Sequence, residues 1–429
     1  MGARAPRRCT AWAAWLLALL AAAACAVNPV TGKRQIALLS EAEEVALGAR
    51  EHPQILEQYG RLEAPAVQAY VARVGRELAA RSHRPDLTYH FTVLDSPILN
   101  AFALPGGYVY VTRGLLAALN DEAELAGVLG HEIGHVTARH GVTRYTQQAG
   151  YQLLKGLAVL LEPGLANWTR LSDLAFTAAV RGYGRKEELQ ADALGLEYAA
   201  AAGYDTRELH HFFEYLEHTE RDAGRGGFHG LFATHPETAQ RIARLKRLEG
   251  EHPGGTRVAR EPYLRAIDGI PFGPAPAEGR VVGRRYLNPR YDVALRIPAG
   301  WQARTARGRL LLVPRGGGVA WEARMRTARP GEDSTSVMRA RLAKLGVQAQ
   351  PRWLPSPHGA QGVRLQARAG GRPVGVSLAA WVHQGQVVEV TAVAPAASFD
   401  RIATAFDAIT RTLRPLPPHL RRLAAPLYV

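Results

Sequence analysis

The amino-acid sequence predicts an α+β protein in which a mainly helical domain with a small sheet precedes a smaller α/β domain of sandwich-like architecture. Apolar residues recur at helical spacing through much of residues 41–266. Residues 267–284 are rich in proline and glycine, a composition typical of a linker. Residues 285–416 alternate between strand-like runs and two helix-like runs. The chain of 429 residues is long enough for both domains to bury a core of their own.

The charge of the chain is strongly positive and is carried almost entirely by arginine. The formal net charge is +15 at neutral pH. An arginine-, alanine- and glycine-rich composition is typical of a GC-rich genome, and attraction to an anionic membrane surface is the alternative explanation. The arginines are scattered and no nucleic-acid motif accompanies them, so we do not expect nucleic acid as a partner.

Residues 1–25 have the pattern of an export signal rather than of a folded element. Three arginines precede an apolar run over residues 12–24, which is too short to span a bilayer. Three alanines then lead directly into Cys25, an arrangement that resembles the lipobox of bacterial lipoproteins. The resemblance implies acylation of Cys25, and Ala26 after it implies sorting to the outer membrane. Cleavage without acylation is the alternative, although acylation would account for the single cysteine left after the signal is removed.

The elements of the first domain follow from local patterns. Residues 26–40 are predicted to be a polar tether, and Ser40 followed by several glutamates is typical of a helix start. A Pro-Gly-Gly turn signal separates two strand-like runs. The predicted helices are 66–80, 121–142 with Asn120 as N-cap, 185–202 ending at Gly203, 205–222 and 236–249, and the predicted strands are 88–94 and 108–111.

The strongest chemical signal is the run His131-Glu132-Ile133-Gly134-His135. Two histidines four residues apart share one face of a helix, so both imidazoles can reach one cation. Neutral imidazole nitrogen suits Zn²⁺, and a catalytic zinc keeps one position open for water. Glu132 is placed to take a proton from that water and return it to the leaving amine. The motif therefore predicts a catalytic zinc site.

A third zinc ligand is expected on the next long helix. Glu188 and Asp192 are four residues apart and put two carboxylates on one helix face. Glu188 would complete a set of two histidines and one glutamate, and Asp192 would accept a hydrogen bond from an imidazole N–H and fix its tautomer. Glu187 is the competing ligand, but it points about 100° away from the face of Asp192.

The order of these motifs resembles the gluzincin peptidases of the HtpX, Oma and BepA kind. Each of those proteins carries a His-Glu-x-x-His motif followed about fifty residues later by Glu-x-x-x-Asp. The resemblance covers roughly residues 26–250 and implies one Zn²⁺ per chain, held by His131, His135 and Glu188. Further matching pieces are Asn-Pro-Val-Thr-Gly at 28–32, Asn-Ala-Phe-Ala-Leu-Pro-Gly-Gly at 100–107, the run 111–116, and Thr-His-Pro at 234–236 followed by Arg241-Ile242.

The same resemblance implies roles around the metal. The strand near Asn100 would border the cleft and pair with an extended substrate, with Gly106 and Gly107 also binding substrate; ordinary turn chemistry is the alternative for these residues. His235 would act as an electrophile toward the developing oxyanion or as a fourth zinc ligand that closes a latent site. Segment 143–180, between the two ligand helices, is expected to form a lid.

The C-terminal domain resembles a different family. Residues 291–301 are similar to the opening strand of PsbP-like α/β modules, and residues 399–413 are similar to their closing helix. No catalytic constellation is found there, so we expect a binding or positioning role. Residues 417–429 are expected to be a tail.

These observations together predict a zinc metalloendopeptidase of the bacterial cell envelope. It would be lipid-anchored, facing the periplasm from the outer membrane, and would cleave misfolded or misassembled exported proteins in quality control. The rival hypothesis is a chaperone-like scaffold whose zinc is latent or structural. Oligomeric state and the physiological substrate stay open.

Overall fold

In a computed structural model, the chain forms two compact units. The first ends at Ile270 and also includes Val429, and the second comprises Pro271–Tyr428. The structure describes residues 25–149, 183–214, 238–251, 254–274, 276–315, 319–344, 354–355, 361–369, 372–425 and 427–429. Most of the predicted signal, most of the predicted lid, and His235 lie outside these residues.

The N-terminal unit consists mainly of helices around one small sheet, as the fold class predicted. Its elements are β1 (Cys25–Val27), β2 (Arg34–Ile36), α1 (Glu41–Tyr59), α2 (Pro65–Ala79), β3 (His90–Leu94), β4 (Ala101–Leu104), β5 (Tyr108–Thr112), α3 (Arg113–Leu116), α4 (Glu122–Thr137), α5 (Arg185–Ala201), α6 (Thr238–Glu251) and α7 (Arg260–Ile267). Residues 140–149 and 207–214 are also helical. Helices α2, α4 and α5 and the sheet share one apolar core.

The small sheet has the strand order β3-β5-β4, with β3 parallel and β4 antiparallel to β5. Strand β4 therefore lies at an edge. Its backbone pairs with β5 on one side, and alternation of the antiparallel ladder directs the backbone groups of Ala101 and Ala103 away from β5. All four β4 residues are buried. Ala103 and Leu104 border the same small cavity as His135, so the edge strand lies beside the His-Glu-x-x-His helix.

Two predicted helix ends are confirmed. Ser40 is the N-cap of α1 and forms a capping box with Glu43, which satisfies the first backbone N–H groups. Helix α5 ends at Ala201. Gly203 follows with φ of +80°, a left-handed conformation that glycine adopts without a steric penalty.

The helix predicted over residues 121–142 is wrong at both ends. Asp121, not Asn120, is the N-cap of α4, because its carboxylate accepts a hydrogen bond from the Glu124 N–H. Helix α4 ends at Thr137, and Arg139 adopts a left-handed φ of +57° before helical structure resumes at His140. The chain changes direction there, which brings His140 back toward α4.

Residues 26–40 are not the loose tether that their polarity suggested. Strands β1 and β2 pair as a hairpin, and Asn28 between them is buried. The Asn28 carboxamide oxygen accepts from the N–H groups of Val30 and Thr31, and its nitrogen donates to the Ala138 carbonyl at 2.9 Å. This segment therefore caps the carboxyl end of α4, a long-range contact that composition cannot reveal.

The C-terminal unit is built mainly from antiparallel strands. Its elements are β6 (Pro271–Phe272), β7 (Arg280–Val282), β8 (Arg285–Asn288), β9 (Val293–Arg296), β10 (Trp301–Ala306), β11 (Arg309–Pro314), β12 (Ala320–Thr327), α8 (Ser334–Lys344), β13 (Leu354–Pro355), β14 (Gln361–Ala369), β15 (Arg372–His383), β16 (Gln386–Pro395), α9 (Phe399–Arg411), β17 (Arg414–Pro415), α10 (Arg421–Ala424) and β18 (Leu427–Tyr428), with short 3₁₀ turns at Ala396–Ser398 and Pro418–Leu420.

A seven-stranded sheet of order β10-β11-β12-β16-β15-β14-β13 forms the centre of this unit. Alternation along β15 sends Ala379 and Trp381 to the face covered by α9, β8 and β9, and sends Leu378 and Ala380 to the face covered by α8. A second sheet has the order β17-β9-β8-β7.

Parts of the segments expected as linker and tail carry regular structure. Strands β6 and β7 lie within 267–284, and α10 and β18 lie within 417–429, where β18 pairs with β6. None of the helices in the described part of the chain is long and apolar enough to cross a membrane.

Candidate metal centre and active site

Helices α4 and α5 supply the predicted centre, and they approach each other closely at two glycines. A Cβ on Gly195 of α5 would lie 2.7 Å from the His131 backbone nitrogen, and a Cβ on Gly130 of α4 would lie 2.9 Å from the Gly195 carbonyl oxygen. Such contacts are shorter than real Cβ atoms make, so larger residues would force the helices apart. This near-contact brings the histidines of α4 within reach of the carboxylates of α5.

The structure brings His131, His135 and Glu188 together. The two histidine Nε2 atoms are 3.0 Å apart, and the Glu188 carboxylate oxygens lie 3.6 Å from His131 Nε2 and 3.5 Å from His135 Nε2. Zinc bonds of about 2.0–2.1 Å in a tetrahedron separate ligand atoms by about 3.3 Å. Both the donor types and their spacing therefore fit Zn²⁺ with one coordination position left over.

Asp192 lies behind this donor set, as its predicted role requires. Its carboxylate is 2.9 Å from His131 Nδ1, the ring nitrogen opposite the donor atom. A carboxylate there holds the proton on Nδ1 and leaves Nε2 free to donate its lone pair. Burial by itself would raise the pKa of Asp192, but the adjacent Arg241 guanidinium outweighs burial and lowers that pKa well below its ordinary value.

Arg241 of α6 is the main site residue whose role sequence reasoning missed. It donates to both Asp192 oxygens, at 2.8 and 2.6 Å, and lies 3.0 Å from a Glu188 oxygen. The guanidinium also lies over the Phe213 ring, 4.6 Å from its centroid. In the sequence, Arg241 stands out only as part of a downstream motif. A buried arginine that contacts Glu188 and Asp192 of α5 ties a third helix to the centre.

A second group of side chains encloses His135. His135 Nδ1 is 2.8 Å from His140 Nδ1, and His140 Nε2 is 3.1 Å from Gln190 Oε1. The Tyr183 ring stacks on His135 with centroids 3.8 Å apart. Burial lowers the pKa of His135 well below its ordinary value, which favours the neutral, metal-binding imidazole. Sequence reasoning missed His140 because its approach depends on the chain turn after α4.

Glu132 is fully buried on α4, between the two histidines in sequence. Burial raises the pKa of Tyr183, and the negative charge of Glu132 raises it further. Glu187 has a different position. Its carboxylate accepts from the Gly184 N–H at 2.9 Å and closes the first turn of α5, so the structure does not bring it into the donor cluster.

The three residues expected to bind substrate lie at the ends of β4. Asn100 precedes β4 and pairs through its backbone with Thr112. Gly106 and Gly107 have φ of +81° and +88°, and an added Cβ would lie 2.6 Å from the Val45 Cα and 2.7 Å from the Thr88 carbonyl, respectively. Both glycines are therefore required by the tight β4–β5 turn, and their substrate role stays a prediction.

Comparison with known proteins gives a family for the N-terminal unit. Residues 65–249 match the model of Peptidase family M48. The mitochondrial metalloendopeptidase OMA1 of Arabidopsis thaliana is 36% identical over 166 residues, which cover 38% of this chain and 32% of that one. The beta-barrel assembly-enhancing protease of Escherichia coli is 26% identical over 223 residues, covering 50% and 45%. The chain thus spans less than half the length of either relative.

Solved structures give weaker matches to this chain. The solution structure of cyanobacterial PsbP from Synechocystis aligns with 10% identity and a TM-score of 0.22, covering 32% of this chain and 98% of that one. A score of this size assigns no fold, and the PsbP-like module stays a prediction. The family match coincides with the helices that carry His131, His135, Glu188 and Arg241. Residues 65–249 of this chain therefore match Peptidase family M48, and the Arabidopsis relative is named a metalloendopeptidase.

Proposed function

We propose that this protein is a zinc-dependent metalloendopeptidase of the bacterial cell envelope that hydrolyses peptide bonds in misfolded or misassembled exported proteins. The observation that carries the proposal is the buried donor set of His131, His135 and Glu188, with spacing suited to one Zn²⁺. Asp192 contacts the ring nitrogen of His131 that faces away from the donor set, and Arg241 donates to Asp192. Such a second layer of hydrogen bonds is typical of sites that hold and tune a metal.

The chain's own residues account for the remaining chemistry. Zinc held by this donor set would acidify water and polarise the scissile carbonyl. Glu132, in the proposed role of general base, accepts a proton from the attacking water and delivers it to the leaving nitrogen. Asp192 keeps the His131 proton on Nδ1 throughout, because Arg241 holds that carboxylate ionised. His235, which lies outside the described residues, is proposed to steady the oxyanion or to close the site as a fourth ligand.

Substrate binding is proposed to use the edge of the small sheet. Strand β4 presents the backbone groups of Ala101 and Ala103 away from β5 and borders a cavity that His135 also lines. An extended peptide that pairs with this edge would place its backbone beside the centre with little demand on side-chain identity. That mode suits unfolded substrates of varied sequence, with Asn100, Gly106 and Gly107 shaping the ends of the strand.

The envelope location is proposed from the N-terminal sequence. The signal-like residues 1–25 and the lipobox-like approach to Cys25 support export, acylation and a position at the outer membrane facing the periplasm. A bacterial relative is named a beta-barrel assembly-enhancing protease, which is compatible with envelope substrates. Mass spectrometry of the mature N-terminus is expected to find acylated Cys25, and an unmodified N-terminus elsewhere would contradict the anchor.

A second candidate function is a chaperone-like scaffold with a latent or structural zinc. The observation that favours it is enclosure: Glu132 is 0% exposed and Tyr183 covers one face of His135. A structural zinc site has no need for a carboxylate in the position of Glu132, whereas a hydrolytic site requires one. Replacement of Glu132 therefore separates the two candidates.

The test compares Glu132→Gln with Glu197→Gln, which replaces a partly exposed glutamate of α5 outside the donor set. Both variants are expected to retain one zinc per chain by elemental analysis. Cleavage of an unfolded fluorescent casein should fall by about 10²–10⁴-fold in Glu132→Gln and stay unchanged in the control. Undiminished cleavage in Glu132→Gln would overturn the mechanism. Full zinc occupancy without cleavage by the unaltered protein, under conditions that open the site, would favour the scaffold.

A further inference from the structure

The excess positive charge of the chain belongs to the C-terminal unit. Residues 271–429 contain 24 arginines and lysines against 8 aspartates and glutamates, a formal charge of +16, whereas residues 1–270 carry a formal charge of −1. A GC-rich genome would distribute arginine over both halves of the chain, and it does not explain why only one half lacks compensating acids. The asymmetry points to an anionic partner of this unit.

A cavity of about 360 Å³ in this unit concentrates part of that charge. Four exposed arginines surround it, and none forms an ion pair with an acidic side chain in the described part of the chain. The floor of the cavity is apolar. The arginines are Arg285, Arg296, Arg411 and Arg414, and the floor is made by Leu287, Ala294 and Leu420.

The strand register forces these arginines together. Arg285 of β8 lies directly opposite Arg296 of β9, and Arg414 of β17 lies opposite Ala294, two residues from Arg296 on the same face. Like charges directly opposite each other destabilise an antiparallel pair. Arg411 and Thr412 follow at the end of α9, where the Thr412 hydroxyl already accepts the Arg296 N–H. The repulsion between these arginines therefore destabilises the sheet, and a bound anion would offset it.

The surroundings of the cavity are apolar as well as basic. Leu287, Ala294, Leu420 and Ala424 form a small cluster on the face of the sheet that carries the arginines. Next to this cluster, Leu423 of α10 is 48% exposed. Guanidinium groups around an apolar floor, with an exposed leucine beside them, are the combination that anionic lipids bind at a membrane surface.

We propose that this cavity binds the phosphate headgroup of an anionic phospholipid, with the start of an acyl chain against Leu287 and Leu420. The ligand chemistry is a phosphodiester, which arginines grip through paired N–H donors. Nucleic acid shares the phosphate but favours aromatic stacking faces, and no aromatic ring lines this cavity. The inference is independent of the peptidase site and of acylation at Cys25.

The test uses the full chain and two triple variants of equal charge change. The cavity variant is Arg285→Gln/Arg296→Gln/Arg414→Gln. The matched control is Arg304→Gln/Arg315→Gln/Arg339→Gln, which removes three exposed arginines of the same unit that do not line the cavity. All three proteins share one N-terminus, so any contribution from the signal or the anchor is common to them.

Isothermal titration calorimetry with monomeric dihexanoyl phosphatidylglycerol should show binding to the unaltered protein and to the control, and at least tenfold weaker binding to the cavity variant. Dihexanoyl phosphatidylcholine and inorganic phosphate should each bind at least tenfold more weakly than phosphatidylglycerol. Thermal unfolding of the cavity variant at or above the temperature of the unaltered protein establishes that the loss is local, because removal of the opposed arginines relieves like-charge repulsion.

Three results would overturn the proposal. Equal weakening in both triple variants would mean that only overall charge matters. Inorganic phosphate binding as tightly as the lipid would mean that the apolar floor plays no part. Tighter binding of a short single-stranded oligonucleotide than of the lipid, lost in the cavity variant, would assign the cavity to nucleic acid instead.

Discussion

The pairing of Asp192 with Arg241 permits a prediction in which metal affinity and stability respond differently. The substitution Asp192→Asn keeps the shape of the side chain but removes the charge that orients His131 and neutralises Arg241. The double variant Asp192→Asn/Arg241→Met also removes the guanidinium and fills its space with an apolar chain of similar length. Comparison of the two variants separates the role of the carboxylate in zinc binding from its role in pairing a buried charge.

The magnitudes follow from burial. Asp192 is 1% exposed and Arg241 is 2% exposed, so Asp192→Asn removes the main ion pair of a buried cation that still contacts Glu188. Breaking a buried pair from one side costs about 3–5 kcal/mol, and the remaining contact places our expectation near 3 kcal/mol. Loss of a carboxylate behind a metal-binding histidine weakens zinc affinity by about 10–100-fold. In the double variant the Asp192–Arg241 pair is lost only once, so its stability loss should be about 1–3 kcal/mol smaller than the sum of the losses in Asp192→Asn and Arg241→Met.

The assay measures both quantities on the same proteins. Zinc affinity is obtained by competition with a chromophoric chelator, and the free energy of unfolding is obtained from urea titrations of the metal-free proteins. We expect zinc affinity to stay low in the double variant while its stability loss stays below the sum of the losses in the two single variants. Two results would refute the reasoning: unchanged zinc affinity in Asp192→Asn, or a double variant whose stability loss equals the sum of the two single losses.

Two further predictions concern the close approach of the ligand helices and a buried carboxylate outside the donor set. Gly195→Ala should destabilise the protein by about 1–3 kcal/mol and abolish stoichiometric zinc binding, because the new Cβ would lie 2.7 Å from the His131 backbone nitrogen. The control Gly250→Ala, whose new Cβ would have no atom within 4 Å, should have neither effect. Equal effects of the two substitutions in urea titrations and zinc analysis would contradict this account. Burial raises the pKa of Glu124 from 4.5 to about 7, so the stability that its protonated form contributes is complete below pH 4.5 and is lost as the pH rises through 7. Relative to Glu124→Gln, the unaltered protein should therefore lose about 3 kcal/mol between pH 4.5 and 8 in urea titrations, whereas parallel pH profiles would show that Glu124 keeps its ordinary pKa.

The parts of the centre that sequence predicts are those fixed by local spacing. His131 and His135 share a helix face because they are four residues apart, and Glu188 and Asp192 do so for the same reason. These two four-residue spacings identify four of the side chains that the structure brings together, because the spacing along a helix does not depend on the rest of the fold. The same locality explains why the end of α5, marked by Gly203, was predicted correctly.

The missing parts depend on contacts between distant segments. Arg241 reaches Asp192 across 49 residues, and Asn28 reaches Ala138 across 110. The approach of His140 depends on a turn at Arg139, a residue type that rarely adopts a positive φ, so local preference argued for one continuous helix. The sequence does carry one signal of the helix contact. Gly130 directly precedes His131, and Gly195 lies two helical turns after Glu188. A glycine inside a helix often has a packing reason, here the close approach of the two helices.

The balance of buried charge links the fold of the N-terminal unit to its proposed metal. Around the centre, the described residues contribute three buried carboxylates, those of Glu132, Glu188 and Asp192, and one buried guanidinium, that of Arg241. Neutral imidazoles add no charge. Burial lowers the pKa of His135, which favours its neutral form over the cationic form. Because an uncompensated buried charge is costly, a divalent cation is the ligand whose charge completes this set. Arg241 therefore has a second role, because it neutralises Asp192. The carboxylate of Glu188 is then left to bind the metal and that of Glu132 to act on the reacting water, as a hydrolytic zinc centre requires.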